Sequence, residues 1–354
     1  MGSADRGARR AGPDEDGPLH RHRLPRRSRT GAGTGPGSRR GGDVSSRELV
    51  VLGSASQTPT RHRNHNGYLL RWDGISVLFD PGEGTQRQLL LAGASPTSIR
   101  HICVTHFHGD HCLGLPGMLQ RLSLDRVPDP VEVRYPAGGQ EYFDRLRHAS
   151  AYQDHLDVRP VPVHADGRAS DGPAFSIDAV RLDHEPETFG WRVVEPDGIH
   201  LRPDRLEAAG IRGADVGRLV SEGSLVRGGV RIGRDEVSEV RPGQRLAFVM
   251  DTGICDAAVA LAADADLVVC EATFASADAG LARRYRHLTA ADAGRVARDA
   301  GARRLVITHF SQRYPDVGTL LDEAREVFPD VVAAEDLLRV PVPSRIRTGG
   351  AGPR

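Results

Sequence analysis

The stretch Val-Thr-His-Phe-His-Gly-Asp-His, residues 104–111, places His106, His108, Asp110 and His111 within six positions. Imidazoles and a carboxylate crowded together add nothing to a hydrophobic core, and burying them unpaired costs free energy. A shared cation is the arrangement that makes them useful. Residues two apart do not share a helix face, where neighbours lie three or four apart. His106 and His108 can instead converge from a turn just past a strand, and the apolar run His-Ile-Cys-Val before them reads as that strand. The motif therefore demands a fold in which other strand ends bring further ligands to the same place. Three candidates sit at such ends. His184 follows the strand-like Phe175–Asp183, Asp251 follows Arg245–Met250, and His309 follows Arg304–Thr308.

Zinc accepts imidazole nitrogen and carboxylate oxygen, and a site rich in both without cysteine is of the catalytic kind. His106 and His108 can point at one ion while Asp110 and His111 reach a second. Two divalent ions about 3.5–4 Å apart can share a hydroxide and clamp a phosphodiester during in-line attack.

The rest of the chain fits this demand. Short apolar runs ending in polar loops alternate with helical stretches such as 289–301 and 317–328, which argues for a layered α/β fold. The turn pair Asp73–Gly74 between two apolar runs reads as a β-hairpin. The segment from Asp110 through Leu124 reads as one helix after the metal loop. Residues 1–45 carry ten arginines against five acids and almost no large apolar side chains, a composition that predicts a disordered tail. The core is expected over 46–342, with a second loose tail at 343–354. All 47 basic residues are arginine and the formal net charge is zero, so average charge points to no partner. Four cysteines at no ribbon or CxxC spacing suit a reduced, cytoplasmic setting. No apolar run approaches the roughly 18 residues that span a bilayer.

Several longer stretches carry a resemblance. VVLGSASQTPTRHRNHNGYLL, FDPGEGTQRQLL, THFHGDHCLGLPGML, LDHEPETFGWRVVEPD, CEATF, RHLTAADAGRVA and THFSQRY, in this order over roughly residues 48–340, resemble ribonuclease Z. These are the tRNA 3′-processing endonucleases of the metallo-β-lactamase superfamily. The resemblance implies an αββα sandwich with a protruding exosite arm, here about residues 197–242. It implies two zinc ions per chain, one on His106, His108 and His184, the other on Asp110, His111 and His309, with Asp251 bridging. It implies hydrolysis of precursor tRNA 3′ of the discriminator nucleotide, giving a tRNA 3′-hydroxyl and a trailer 5′-phosphate. Asp110 would double as general base, and His287, oriented by Glu271, would protonate the leaving oxygen. Arg63 and Asn64 would lie near the cleavage site, and Ser311, Arg313 and Tyr314 would contact the RNA 3′ end. A homodimer is implied as well. The alternative is a hydrolase of small phosphodiesters or sulfate esters built on the same ligands. A third reading, an RNA-binding module with a decayed site, is at odds with the intact ligand set.

Three departures from the family pattern stand out. Cys270 replaces the histidine of the usual His-Glu-Ala-Thr element, removing a group that could help hold the acid pair. Met250 replaces the glycine before Asp251. The arm lacks the family's Gly-Pro pair, and residues 198–241 hold eight arginines against seven acids, so it is barely basic.

Overall fold

A computed structural model describes residues 47–345. The predicted tail at 1–45 lies outside the described residues. Six strands open the first sheet: β1 (Glu48–Gly53), β2 (Gly67–Trp72), β3 (Ile75–Phe79), β4 (Ile99–Cys103), β5 (Val131–Pro136) and β6 (Val158–Val163). The second sheet begins with β7 (Gly167–Asp171), β8 (Ser176–Arg181) and β9 (Phe189–Val194). An insertion then carries β10 (Gly198–Leu201), β11 (Ser224–Arg227), β12 (Val230–Gly233) and β13 (Ser238–Arg241). The second sheet resumes with β14 (Arg245–Val249), β15 (Leu267–Glu271), β16 (Leu305–Thr308) and β17 (Val331–Ala333), and β18 (Arg339–Pro341) returns to the edge of the first. Each main sheet has seven strands, ordered β18-β1-β2-β3-β4-β5-β6 and β17-β16-β15-β14-β9-β8-β7.

Strands buried on both faces read as continuous apolar runs rather than alternating ones. In Leu49–Leu52 and Tyr68–Trp72, odd positions of β1 and even positions of β2 enter the core between the sheets. The others face helices. Between the sheets, Tyr68 and Phe79 of the first meet Phe248 of the second, with ring centroids 5.2 and 4.7 Å apart. The outer face of the first sheet packs on Leu115, Met118, Leu119 and Leu122 of α3 (Leu115–Leu124), which follows α1 (Thr85–Leu91) and α2 (Gly109–Cys112). Beyond α4 (Gln140–Arg147), the insertion holds α5 (Pro203–Ala208) and α6 (Ala214–Glu222). The second sheet is flanked by α7 (Asp256–Ala262), α9 (Ala290–Asp299) and α10 (Gly318–Val327), with α8 (Ala279–Tyr285) near the site. The expected hairpin forms between β2 and β3, and Asp73 and Gly74 both adopt positive φ (48° and 92°), as a two-residue type I′ turn requires.

Two expectations need correction. The stretch expected to be one helix after Asp110 is two, α2 and α3. Pro116 lies in the first turn of α3, where its missing N–H costs nothing, and it cannot continue α2. Gly114 at the break sits against the Gly82 carbonyl, where a Cβ would approach to 2.0 Å. At the C-terminus, residues 343–345 are not loose. Arg345 Nε donates to both oxygens of buried Asp266 at 2.9 and 2.8 Å, and Arg303 donates to the Ser344 carbonyl. The expected tail boundary at 343 therefore moves past Arg345, and 346–354 lie outside the described residues.

The insertion is joined through the antiparallel pair β10–β13. It is not as poor in apolar contacts as its composition suggests, since Ile211, Leu219, Leu225 and Val237 close a small core of their own. Half of its arginines are neutralised within it: Arg202 pairs with Asp204 and Glu239, Arg212 with Glu207, Arg218 with Glu222, and Arg227 with Asp215.

Candidate metal and active site

Strands β14, β15 and β16 are parallel neighbours, so Asp251, Glu271 and His309 emerge side by side at their carboxyl ends. β8 reaches the same edge and delivers His184, because it is antiparallel to β9 and β9 to β14. Parallel β3 and β4 bring Asp80 and the 104–111 loop to it from the first sheet. Carboxyl strand ends of α/β sheets are where such folds place ligands.

The predicted ligands converge. His106, His108, His184 and Asp251 form one group, and Asp110, His111 and His309 another, with one potential ligand atom from each within 4.8 Å of the rest of its group. Asp251 lies between them. Its Oδ2 is 3.5 Å from His106 Nε2, 3.4 Å from His111 Nε2 and 3.8 Å from His184 Nε2, and its Oδ1 is 3.2 Å from His309 Nε2. Asp110 Oδ2 is 3.2 Å from His111 Nε2 and 3.4 Å from His309 Nε2.

The outer hydrogen bonds settle which imidazole nitrogen faces inward. His184 Nδ1 donates to the Arg286 carbonyl (3.0 Å) and His111 Nδ1 to Asp80 Oδ2 (2.9 Å). Thr105 Oγ1 gives its proton to Asp80 (2.8 Å), so it accepts from His106 Nδ1 at 3.0 Å. Thr273 Oγ1 gives its proton to Glu271 (2.5 Å), so it accepts from His309 Nδ1 at 2.7 Å. All four rings thus turn an Nε2 lone pair inward, as metal-bound histidines held by outer partners do. His184 Nε2, His309 Nε2 and Asp251 Oδ1 are buried with no hydrogen-bond partner. Orphaned polar atoms of this kind are costly, and a divalent cation satisfies all of them.

The electrostatics agree. Burial lowers His106 and His108, keeping them neutral donors of electron pairs. Burial works against ionised Asp110, yet His111 and His309 hold it below the usual carboxylate range. Burial lowers His111, but Asp110 and Asp251 raise it well above its ordinary value: a proton on Nε2 and a cation there are alternative ways of answering these two carboxylates. The carboxylates call for positive charge that no arginine supplies here. Backbone strain collects at the same place: Asp80, Asp251 and His309 have φ of 42°, 44° and 61°. Non-glycine residues hold such angles where surrounding structure enforces them, commonly at functional sites.

His287 stands at the rim with its Nδ1 3.0 and 3.1 Å from the two Glu271 oxygens. Burial opposes its charge, but Glu271 and Asp251 lift it to about 9. Glu271 also accepts from the Thr252 N–H (2.7 Å), so the pair is firmly oriented without the histidine that Cys270 replaces. Cys270 is instead a fully buried core filler, as are Cys103 and Met250. Thr289 caps α9 in a capping box with Asp292, which fixes the loop carrying His287.

The residues expected to touch RNA divide. Ser311 and Arg313 line the cleft over the metal ligands, about 470 Å³ in volume. Arg63, Asn64 and Tyr314 are not brought into it. Arg63 donates to the Tyr314 and Pro315 carbonyls, Asn64 Nδ2 to the Glu83 carbonyl, and the Tyr314 hydroxyl to Asp278. They brace the loops that form the rim. The outer partners Asp80, Thr105 and Thr273 went unrecognised in the sequence, although Asp80 ends an apolar strand just as the ligands do.

Two sheets faced by helices, with a His/Asp cluster at their shared edge, define the metallo-β-lactamase class. The metallo-beta-lactamase superfamily pattern matches residues 60–226, and a beta-lactamase superfamily domain pattern matches 229–310. A ribonuclease Z of Salinispora arenicola is 57% identical over 87% of this chain and 100% of its own length. One from Chlamydia pneumoniae is 44% identical over 85% of this chain and 98% of its own. The crystal structure of human tRNase Z, short form, superposes with a TM-score of 0.60 at 26% identity, covering 84% of this chain and 100% of that one. The chain belongs to the ribonuclease Z family.

Proposed function

We propose that this chain is a metal-dependent endoribonuclease that removes 3′ trailers from precursor tRNA, cutting 3′ of the discriminator nucleotide. The observation that carries the reading is one cleft joining inward-facing His/Asp lone pairs to a charged, carboxylate-oriented His287, in a member of the ribonuclease Z family. His106, His108 and His184 would hold one zinc ion, Asp110, His111 and His309 the second, and Asp251 both. Bound ions of this kind polarise the phosphodiester and activate water. The chain's own groups do the rest. Ionised Asp110 orients the attacking water and takes its proton. His287 donates the proton on Nε2 to the leaving 3′-oxygen, while Glu271 fixes Nδ1 and stabilises the charge. Arg313, which has no acid partner among the described residues and stacks over Phe274 at 5.5 Å, binds a flanking phosphate. Products are a tRNA 3′-hydroxyl and a trailer 5′-phosphate.

Exposed Leu90, Leu91 and Leu124, on α1 and α3, support a homodimer through that face. A cytoplasmic setting is consistent with the free cysteines. No helix among the described residues is long and apolar enough to cross a membrane.

The insertion supplies part of the grip on tRNA. Because four of its arginines are paired internally, its contribution is modest. Replacing 200–240 by a short Gly/Ser linker is expected to raise KM for precursor tRNA about tenfold, since phosphate binding follows unneutralised positive charge. Hydrolysis of bis(p-nitrophenyl) phosphate should be unaffected. Unchanged precursor kinetics would remove the insertion from the binding surface.

A further inference from the structure

A zero-charge chain that grips RNA needs local positive charge, and most of the arginines among the described residues are committed to acids. The C-terminal end of α8 is an exception. Arg283 and Arg284 are exposed and have no acid partner among the described residues, and Arg284 lies over the Tyr285 ring at 5.5 Å. Tyr285 is 51% exposed and lines the catalytic cleft. Behind His287 a second cleft, of about 510 Å³, carries Arg283, Arg286 and Arg295 on its walls. His287 is the partition and lines both clefts. The acids of the second cleft are already engaged: Asp292 accepts from Thr289 and Arg295, and Asp183 faces Arg286 at 3.8 Å. Arg283 is left with its charge unanswered.

We propose that this rim is the seat of the RNA strand immediately 5′ of the cut, with Tyr285 stacking on a base and Arg283 and Arg284 holding backbone phosphates. The inference rests on the tRNA-processing reading and deepens it. Direction follows from the acid. His287 protonates the leaving 3′-oxygen, which belongs to the retained nucleotide, so the retained strand runs from His287 into the second cleft. An exposed aromatic beside uncommitted arginines is the combination that binds unpaired or fraying nucleotides through stacking and charge. Arg286 plays a different part: its φ of 53° aims the carbonyl that orients His184.

The test is steady-state cleavage of a 3′-extended precursor tRNA by the full chain, across a salt series. Tyr285→Ala should raise KM about tenfold with kcat within about twofold, and Tyr285→Phe should restore it, because stacking survives loss of the hydroxyl. Arg283→Gln should make the slope of log(kcat/KM) against log[salt] shallower by about 0.7–0.9, one phosphate contact. Melting temperatures near that of the wild type would assign these changes to binding. Wild-type kinetics and slope in folded Tyr285→Ala and Arg283→Gln would overturn the inference alone. Failure of the wild type itself to cut precursor tRNA would overturn the reading beneath it.

Discussion

Asp251→Ala is expected to empty the site and lower kcat/KM on precursor tRNA by at least about 10⁴-fold, as loss of a group on which a catalytic unit depends does. Asp251 lies within 3.8 Å of Nε2 atoms from both histidine groups. Its removal takes away the shared negative charge and leaves four imidazoles facing one another. Elemental analysis of the purified protein should fall from the two ions per chain proposed for the wild type to less than one. The fold should survive, because the core between the sheets does not depend on the carboxylate. Two retained ions with activity within tenfold of the wild type would contradict the bridging position.

His287→Ala should act differently, lowering kcat about 10²–10⁴-fold, the range for a lost general acid, while metal content stays at the wild-type level. The partner substitution gives the sign of the effect. Glu271 and Asp251 raise the His287 pKa to about 9 against the pull of burial. Glu271→Gln removes the larger of these charges, so the imidazolium loses its proton at lower pH. The basic limb of the kcat profile should move towards acid, with a smaller loss at pH 6 than at pH 8. A His287→Ala variant within threefold of the wild type, or a basic limb unmoved in Glu271→Gln, would remove this pair from proton transfer.

Much of this site is legible in the sequence. The candidate ligands are strand-end residues, and the strands are apolar runs that a sequence displays directly. His-x-His-x-Asp-His is local, so its geometry needs only one turn. The outer hydrogen bonds were not legible in the same way. Thr105 and Thr273 are ordinary residues whose roles arise only when β3 and β16 bring an Asp80 oxygen or a His309 ring to them. Arg286 acts through its carbonyl, which no sequence distinguishes. The resemblance implies Arg63 and Asn64 near the cleavage site, and Tyr314, just past His309, at the RNA 3′ end. In the fold their polar atoms bond to neighbouring loops: Arg63 and Asn64 to backbone carbonyls, and the Tyr314 hydroxyl to the Asp278 carboxylate. The insertion's composition gave its arginines and acids but not their pairing, which depends on β10, β13 and α6 coming together. The helix break at Gly114 was visible in Pro116 and could have been read from it.

The most direct test of the central claim is to incubate the zinc-loaded chain with a 3′-extended precursor tRNA and map both new ends. The account predicts a single cut after the discriminator nucleotide, a free 3′-hydroxyl on the tRNA and a 5′-phosphate on the trailer. No cut in tRNA alongside zinc-dependent turnover of bis(p-nitrophenyl) phosphate, or a product ending in a cyclic phosphate, would contradict it.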